Sequence, residues 1–173
     1  MKYKLIVSDI DGVWTDGSFY YSAEGDVMRR FTTKDSYGVS LARLAGIPLM
    51  ILSSEENEMV RKRLNKLGVE HVSLGVRNKL EAIRSMCKEW KISLSEVVFL
   101  GDDMNDFHLL GKVGLFACPA DAYPRIKENA GLVLEKKGGE GAFREFVEKL
   151  LDQENKLQET YEKYVRECLE KQE

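Results

Sequence analysis

Short apolar runs recur along the chain at 5–7 (Leu-Ile-Val), 49–52 (Leu-Met-Ile-Leu), 97–100 (Val-Val-Phe-Leu), 115–117 (Leu-Phe-Ala) and 132–134 (Leu-Val-Leu), with a weaker one at 71–74. Each has strand length and is apolar at consecutive positions, so both of its faces must be covered, as in a parallel sheet between helices. Between them lie helical patterns over 36–45, 56–67, 78–90, 103–111 and 122–129. Their punctuation supports this: Gly46 and Pro48 end the first, Gly68 ends the second, and Pro124 opens the last. The pattern predicts an α/β fold, a doubly wound parallel sheet.

Two stretches depart from the alternation. Over 18–31, Phe19, Tyr21, Val27 and Phe31 alternate with polar residues around Ala23-Glu24-Gly25-Asp26, which predicts a β-hairpin projecting beyond the carboxyl end of the sheet. At the other end, Phe143, Phe146, Val147, Leu150 and Leu151 have helical spacing and should pack on the domain. Residues 152–160 are nearly all polar, and Leu157, Tyr161, Tyr164 and Val165 then form a thin apolar stripe. We therefore expect a domain over 1–151 and a polar helical tail over 152–173 that packs on another chain or frays.

With 173 residues, 43% of them hydrophobic, the chain suits one globular domain. Twenty-nine acidic against twenty-six basic side chains leave a net charge of −3 without a polybasic stretch, so nucleic acid and anionic lipid are not expected partners. The first apolar run is too short for a signal peptide or a membrane span, and a cytoplasmic location is expected. Cys87, Cys118 and Cys168 are an odd, widely spaced set that suits reduced thiols. His71 and His108 are too few for a histidine metal site.

The candidate chemistry lies where strands end. Asp9 and Asp11 stand one residue apart after the first run, with Gly12 next. Strand alternation brings both to the carboxyl edge of the sheet, where α/β proteins hold ligands. Two carboxylates so close repel unless a divalent cation lies between them or one keeps a proton to give away; the plainer alternative is a turn or a helix cap. A second acidic run, Gly101-Asp102-Asp103-Met104-Asn105-Asp106, follows the 97–100 strand. Asp103 and Asp106 can cap the next helix and complement its dipole, leaving Asp102 to join Asp9 on a cation. Ser53 ends the 49–52 strand and Lys79 opens the helix after 71–74. A hydroxyl and an ammonium suit a phosphate, although either also serves as a cap or a solvated charge.

In that order, the motif Asp9-Ile10-Asp11-Gly12-Val13-Trp14-Thr15-Asp16-Gly17, Ser53, Lys79 and the 101–106 run resemble the haloacid dehalogenase superfamily of phosphohydrolases. More narrowly, the long first motif, the hairpin and Gly138-Gly139-Glu140-Gly141-Ala142-Phe143-Arg144-Glu145 resemble its capless sugar-acid phosphatases. The resemblance implies a magnesium-dependent phosphatase. In it Asp9 attacks phosphorus to form an aspartyl phosphate, while Asp11 protonates the leaving group and later deprotonates water. Ser53 and Lys79 hold phosphoryl oxygens. Magnesium is held by the Asp9 and Asp102 carboxylates and the Asp11 main-chain carbonyl, with Asp103 and Asp106 in support. It also implies a homotetramer with sites at subunit interfaces. The stretches 17–53 and 79–102 have no room for a cap domain. One departure is Ser54, where the family has glycine.

The resemblance also bears on the substrate, a sugar-acid phosphate. In the helix after Ser53, a step of about 100° per residue aligns Glu55, Met59, Arg63 and Lys66. Similar proteins selective for nine-carbon sugar acids carry Glu, Arg and Lys at the positions of Glu55, Arg63 and Lys66. This favours 2-keto-3-deoxy-nononate or N-acetylneuraminate 9-phosphate, with 3-deoxy-manno-octulosonate 8-phosphate as the alternative. About 12 Å of helix separates Glu55 from Arg63, at about 1.5 Å per residue, so an Arg63 that meets substrate is expected to do so in a neighbouring subunit's site. A phospho-aspartate receiver requires another motif order, and a silent oligomerisation module would not need the intact motif set.

Overall fold

The apolar runs become the strands of one parallel sheet. The structure, a computed structural model, describes residues 2–170. Strand β1 (Leu5–Ser8) is followed by the hairpin β2 (Tyr20–Ser22) and β3 (Gly25–Met28), then α1 (Lys34–Leu44), β4 (Leu49–Leu52), α2 (Glu58–Lys66), β5 (His71–Ser73) and α3 (Lys79–Trp90). After a 3-10 turn come β6 (Val97–Leu100), a 3-10 helix (Met104–Leu109), β7 (Leu115–Cys118), α4 (Pro124–Asn129), β8 (Leu132–Val133), α5 (Ala142–Gln153) and α6 (Leu157–Glu170). The sheet order is β5-β4-β1-β6-β7-β8, all parallel, with Ile6 opposite Leu49 on one side and Leu5 opposite Val97 on the other.

Successive strand residues feed opposite cores, which is why these runs lack polar positions. Ile6, Ile51, Val98 and Ala117 pack with Leu41 of α1, Val60 and Leu64 of α2, and Phe146 of α5. Leu5, Val7, Leu52, Phe99 and Phe116 pack with Ile83 of α3 and Ile126 of α4. The doubly wound α/β architecture and the hairpin after β1 are as the sequence pattern predicts.

Two local expectations change. The 103–111 stretch forms a 3-10 helix because its buried residues, Asp106 and Leu109, are three apart, and a three-residue repeat keeps both inward. The C-terminal stretch, expected as a polar tail, lies in part against the same core. Asn155, at φ 53°, turns the chain back, and Leu157 and Tyr161 of α6 then join the core beside α1 and α5. Tyr161 Oη donates to Glu148 at 2.5 Å, and Tyr164 meets Tyr37 edge-on at 5.8 Å. Residues 171–173 of the expected tail lie outside the described residues. Among those described, no helix is long and apolar enough to cross a membrane.

Candidate active site

The site is built at the carboxyl ends of β1, β4 and β6 and the first turn of α3. After β1 the backbone coils tightly: the amides of Val13 and Trp14 donate to Ile10 O at 3.1 and 2.8 Å. Trp14, buried, stacks on Phe143 of α5 with centroids 4.4 Å apart and donates its indole N–H to Ser8 Oγ at 3.0 Å. The 138–139 glycines form the bed beneath this coil. A Cβ on Gly138 would lie 2.1 Å from Gly12 O, and Gly139 N donates to Val13 O at 3.0 Å. Gly12, at φ +79°, meets the second acidic loop so closely that a Cβ there would fall 1.8 Å from Asp102 Oδ2.

These contacts converge Asp9, Asp11, Ser53 and Asp102 on one cleft of about 420 Å3, which Phe19, Ser54, Glu55 and Asn105 also line. An apolar groove of about 480 Å3 at the amino ends of β4 and β5 lies away from all of them. Asp9, 3% exposed, accepts from Ile10 N at 2.7 Å through Oδ1. Its Oδ2 accepts from Lys79 Nζ at 2.5 Å and Asn105 Nδ2 at 3.2 Å. Lys79, fully buried, also donates to Asp106 Oδ1 at 2.7 Å. Burial works against the Lys79 charge, but Asp9 and Asp106 outweigh it and raise its pKa, so it stays an ammonium. Ser53 Oγ accepts from Glu55 N at 3.1 Å, which leaves its hydroxyl proton to donate.

Carboxylate oxygens of Asp9, Asp102 and Asp106 lie within 4.8 Å of one another. Burial first, then the charges of Asp9, Asp106 and Asp103, push Asp102 up to about 8. Burial and Asp9 raise Asp106 as well, against the pull of Lys79, and its Oδ2 is buried without a hydrogen-bond partner. Three carboxylates facing one ammonium, offering only oxygen, form a donor set that fits a hard divalent cation such as magnesium. Asp106 thus joins Asp9 and Asp102 at the cluster. Asp103 stays at the surface and caps the 3-10 helix through Met104 N at 2.7 Å.

Asp11, half-buried, pairs through Oδ1 with Arg29 Nη1, with Thr15 Oγ1 at 3.4 Å. Its pKa is raised, mainly by burial, with Arg29 pulling it back. Arg29, Asn105 and Thr15 are contacts to which sequence reading assigned no role. The spacing Asp26-x-x-Arg29, an acid and a base three apart in the hairpin, is the one local signal for Arg29, while Asn105 and Thr15 lay inside motifs already singled out. Ser54, in place of the family's glycine, fits without strain: its hydroxyl donates to Val76 O and accepts from Asn105 Nδ2, each at 3.4 Å.

The three residues proposed for substrate selection separate. Glu55 lines the cleft. Arg63 instead donates to Ser36 Oγ at 2.7 Å and Thr32 O at 3.5 Å, tying α2 to the start of α1. Lys66 is exposed in the last turn of α2, and neither residue lines the cleft.

The family profile described as haloacid dehalogenase-like hydrolase matches residues 44–146. The 3-deoxy-D-manno-octulosonate 8-phosphate phosphatase KdsC of Escherichia coli is 34% identical over 156 residues, which cover 90% of this chain and 83% of that protein. The crystal structure of the corresponding phosphatase from Moraxella catarrhalis, in complex with a magnesium ion, a phosphate ion and KDO, superposes with a TM-score of 0.89 at 28% identity, covering 94% of each chain. The Yersinia pestis enzyme gives 0.86 at 30% identity, covering 91% of this chain and 85% of its own.

Proposed function

Because the chain belongs to the haloacid dehalogenase-like hydrolases and is a phosphatase, we propose that it is a magnesium-dependent hydrolase of 3-deoxy-D-manno-octulosonate 8-phosphate. The buried Asp9, Lys79 and Asp106 arrangement beside Asp102 carries the reaction class. The eight-carbon substrate rests on the Escherichia coli relative, which matches 90% of this chain.

The Asp9 and Asp102 carboxylates and the Asp11 main-chain carbonyl, with the Asp106 carboxylate beside them, would hold the magnesium ion, which would supply charge to offset repulsion between a phosphate dianion and the carboxylates. An Asp9 carboxylate oxygen bonds to phosphorus as the bond from phosphorus to the sugar oxygen breaks. Asp11 gives a proton to that oxygen, so the product leaves as a neutral alcohol. Water then attacks the aspartyl phosphate, Asp11 takes back a proton, and the Asp9–phosphorus bond breaks to free inorganic phosphate. Lys79 holds Asp9 in place through Oδ2, and the Ser53 hydroxyl is free to donate to a phosphoryl oxygen. Copies of the chain, in a homotetramer, would cover the open cleft. Tyr20, Tyr21, Val27 and Met28, all exposed on the hairpin, supply an apolar surface for such a contact.

Glu55 in the cleft favours a second reading, the nine-carbon 9-phosphate ester. Steady-state kinetics with magnesium on both esters separates the two. We expect the higher kcat/KM for the eight-carbon ester and no turnover above background for Asp9→Asn. Preference for the nine-carbon ester would establish the second reading, and wild-type turnover by Asp9→Asn would end the assignment of Asp9.

A further inference from the structure

We propose that Arg29, delivered by the hairpin, is a positioning residue for Asp11: it occupies Oδ1 and so reserves Oδ2 for proton exchange with the leaving group and water. This rests on the reading of Asp11 as acid and base given above. Arg29 is 7% exposed, and its guanidinium lies 4.1 Å from the centre of the Phe19 ring. Nη1 pairs with Asp11 Oδ1, and Nη2 with Asp26 Oδ2 at 2.9 Å. Asp26 Oδ2 also accepts from Asn57 Nδ2 at 2.7 Å. Asn57 in turn caps α2, its Oδ1 accepting from Met59 N at 2.9 Å. The hairpin is thereby fastened at two points, to the start of α2 and to Asp11.

The atoms left over are informative. Asp11 Oδ2 is buried and has no partner inside the protein, although Asp11 lines the cleft. A carboxylate terminal torsion is broad and nearly two-fold, so without a fixed partner on Oδ1 either oxygen would present itself in varied directions. Charge-assisted pairing with a guanidinium that is itself clamped between Asp26 and Phe19 removes that freedom. Arg29 is not placed to bind substrate, since both terminal nitrogens are engaged and Nε is buried.

The test compares two esters by kcat/KM, which reports transfer to Asp9 before the intermediate is hydrolysed. p-Nitrophenyl phosphate has a leaving group that departs without a proton; 3-deoxy-D-manno-octulosonate 8-phosphate does not. For Arg29→Met we expect kcat/KM on the sugar ester to fall about 10²-fold relative to the nitrophenyl ester, the lower end for a lost general acid. Arg29→Lys should recover most of that ratio. A ratio cancels any loss of folded protein, and Arg29→Met/Asp26→Asn, which leaves no carboxylate at 26 unpaired, should behave alike. Equal losses on both esters, or none, would overturn the role of Arg29 while leaving the phosphatase reading intact. A wild-type protein that hydrolyses neither ester would overturn that reading, and this role with it.

Discussion

Binding of a divalent cation should expel a proton from this site, and the amount follows from Asp102. In the metal-free protein, burial and the neighbouring carboxylates push Asp102 from 3.8 up to about 8. Ionising it there costs on the order of 6 kcal/mol, at about 1.4 kcal/mol per pH unit. At pH 7 the group therefore carries about 0.9 of a proton, and at pH 9 about 0.1. A cation seated among Asp9, Asp102 and Asp106 requires the ionised form, so binding releases that proton. From Asp102 alone, apparent magnesium affinity should rise roughly 25-fold between pH 6 and pH 7.5, then by less than about twofold from pH 8 to pH 9, and Asp106, raised by the same burial, steepens that rise. Calorimetric titrations in buffers of different ionisation enthalpy measure both the affinity and the protons released. Asp102→Asn should bind far more weakly and show a shallower limb. Affinity that is flat from pH 6 to pH 7.5, with no proton release in the wild type, would refute the placement of Asp102 at the cation.

Lys79→Met leaves Asp9 and Asp106 buried without their ammonium and should cost about 3–5 kcal/mol at pH 7 in urea unfolding. A loss below about 1 kcal/mol would contradict the buried ion-pair reading. Asp35, 1% exposed, accepts from Arg144 N at 3.1 Å at the start of α5, and burial raises it to about 6. Because the folded state favours the protonated form, Asp35 costs nothing below its unfolded value of 3.8 and about 3 kcal/mol above pH 6. Asp35→Asn should therefore gain about 2.4 kcal/mol relative to wild type as pH rises from 4 to 7. Parallel stability curves for the two proteins would exclude that shift.

The fold class and the motif order were legible in the chain because both are written locally. A run such as 97–100, apolar at every position, can only be a strand buried on two faces, and a motif after each such run can only lie at the sheet's carboxyl edge. Asp9, Asp11, Ser53 and Asp102 reach one cleft for that reason. The partners within the site were decided by packing. Lys79 reaches Asp9 across 70 residues and Asp106 across 27, and Arg29 reaches Asp11 across 18, distances over which periodicity carries no information. Arg63 illustrates the same limit. Its helical stripe with Glu55 is real in the sequence, yet Ser36 and Thr32 of another element capture its guanidinium. Likewise α6 has too thin an apolar stripe to announce its place. Asn155 reverses the chain and the faces of α1 and α5 receive it, because the free energy of burying Tyr161 depends on surfaces that exist only after the rest has folded.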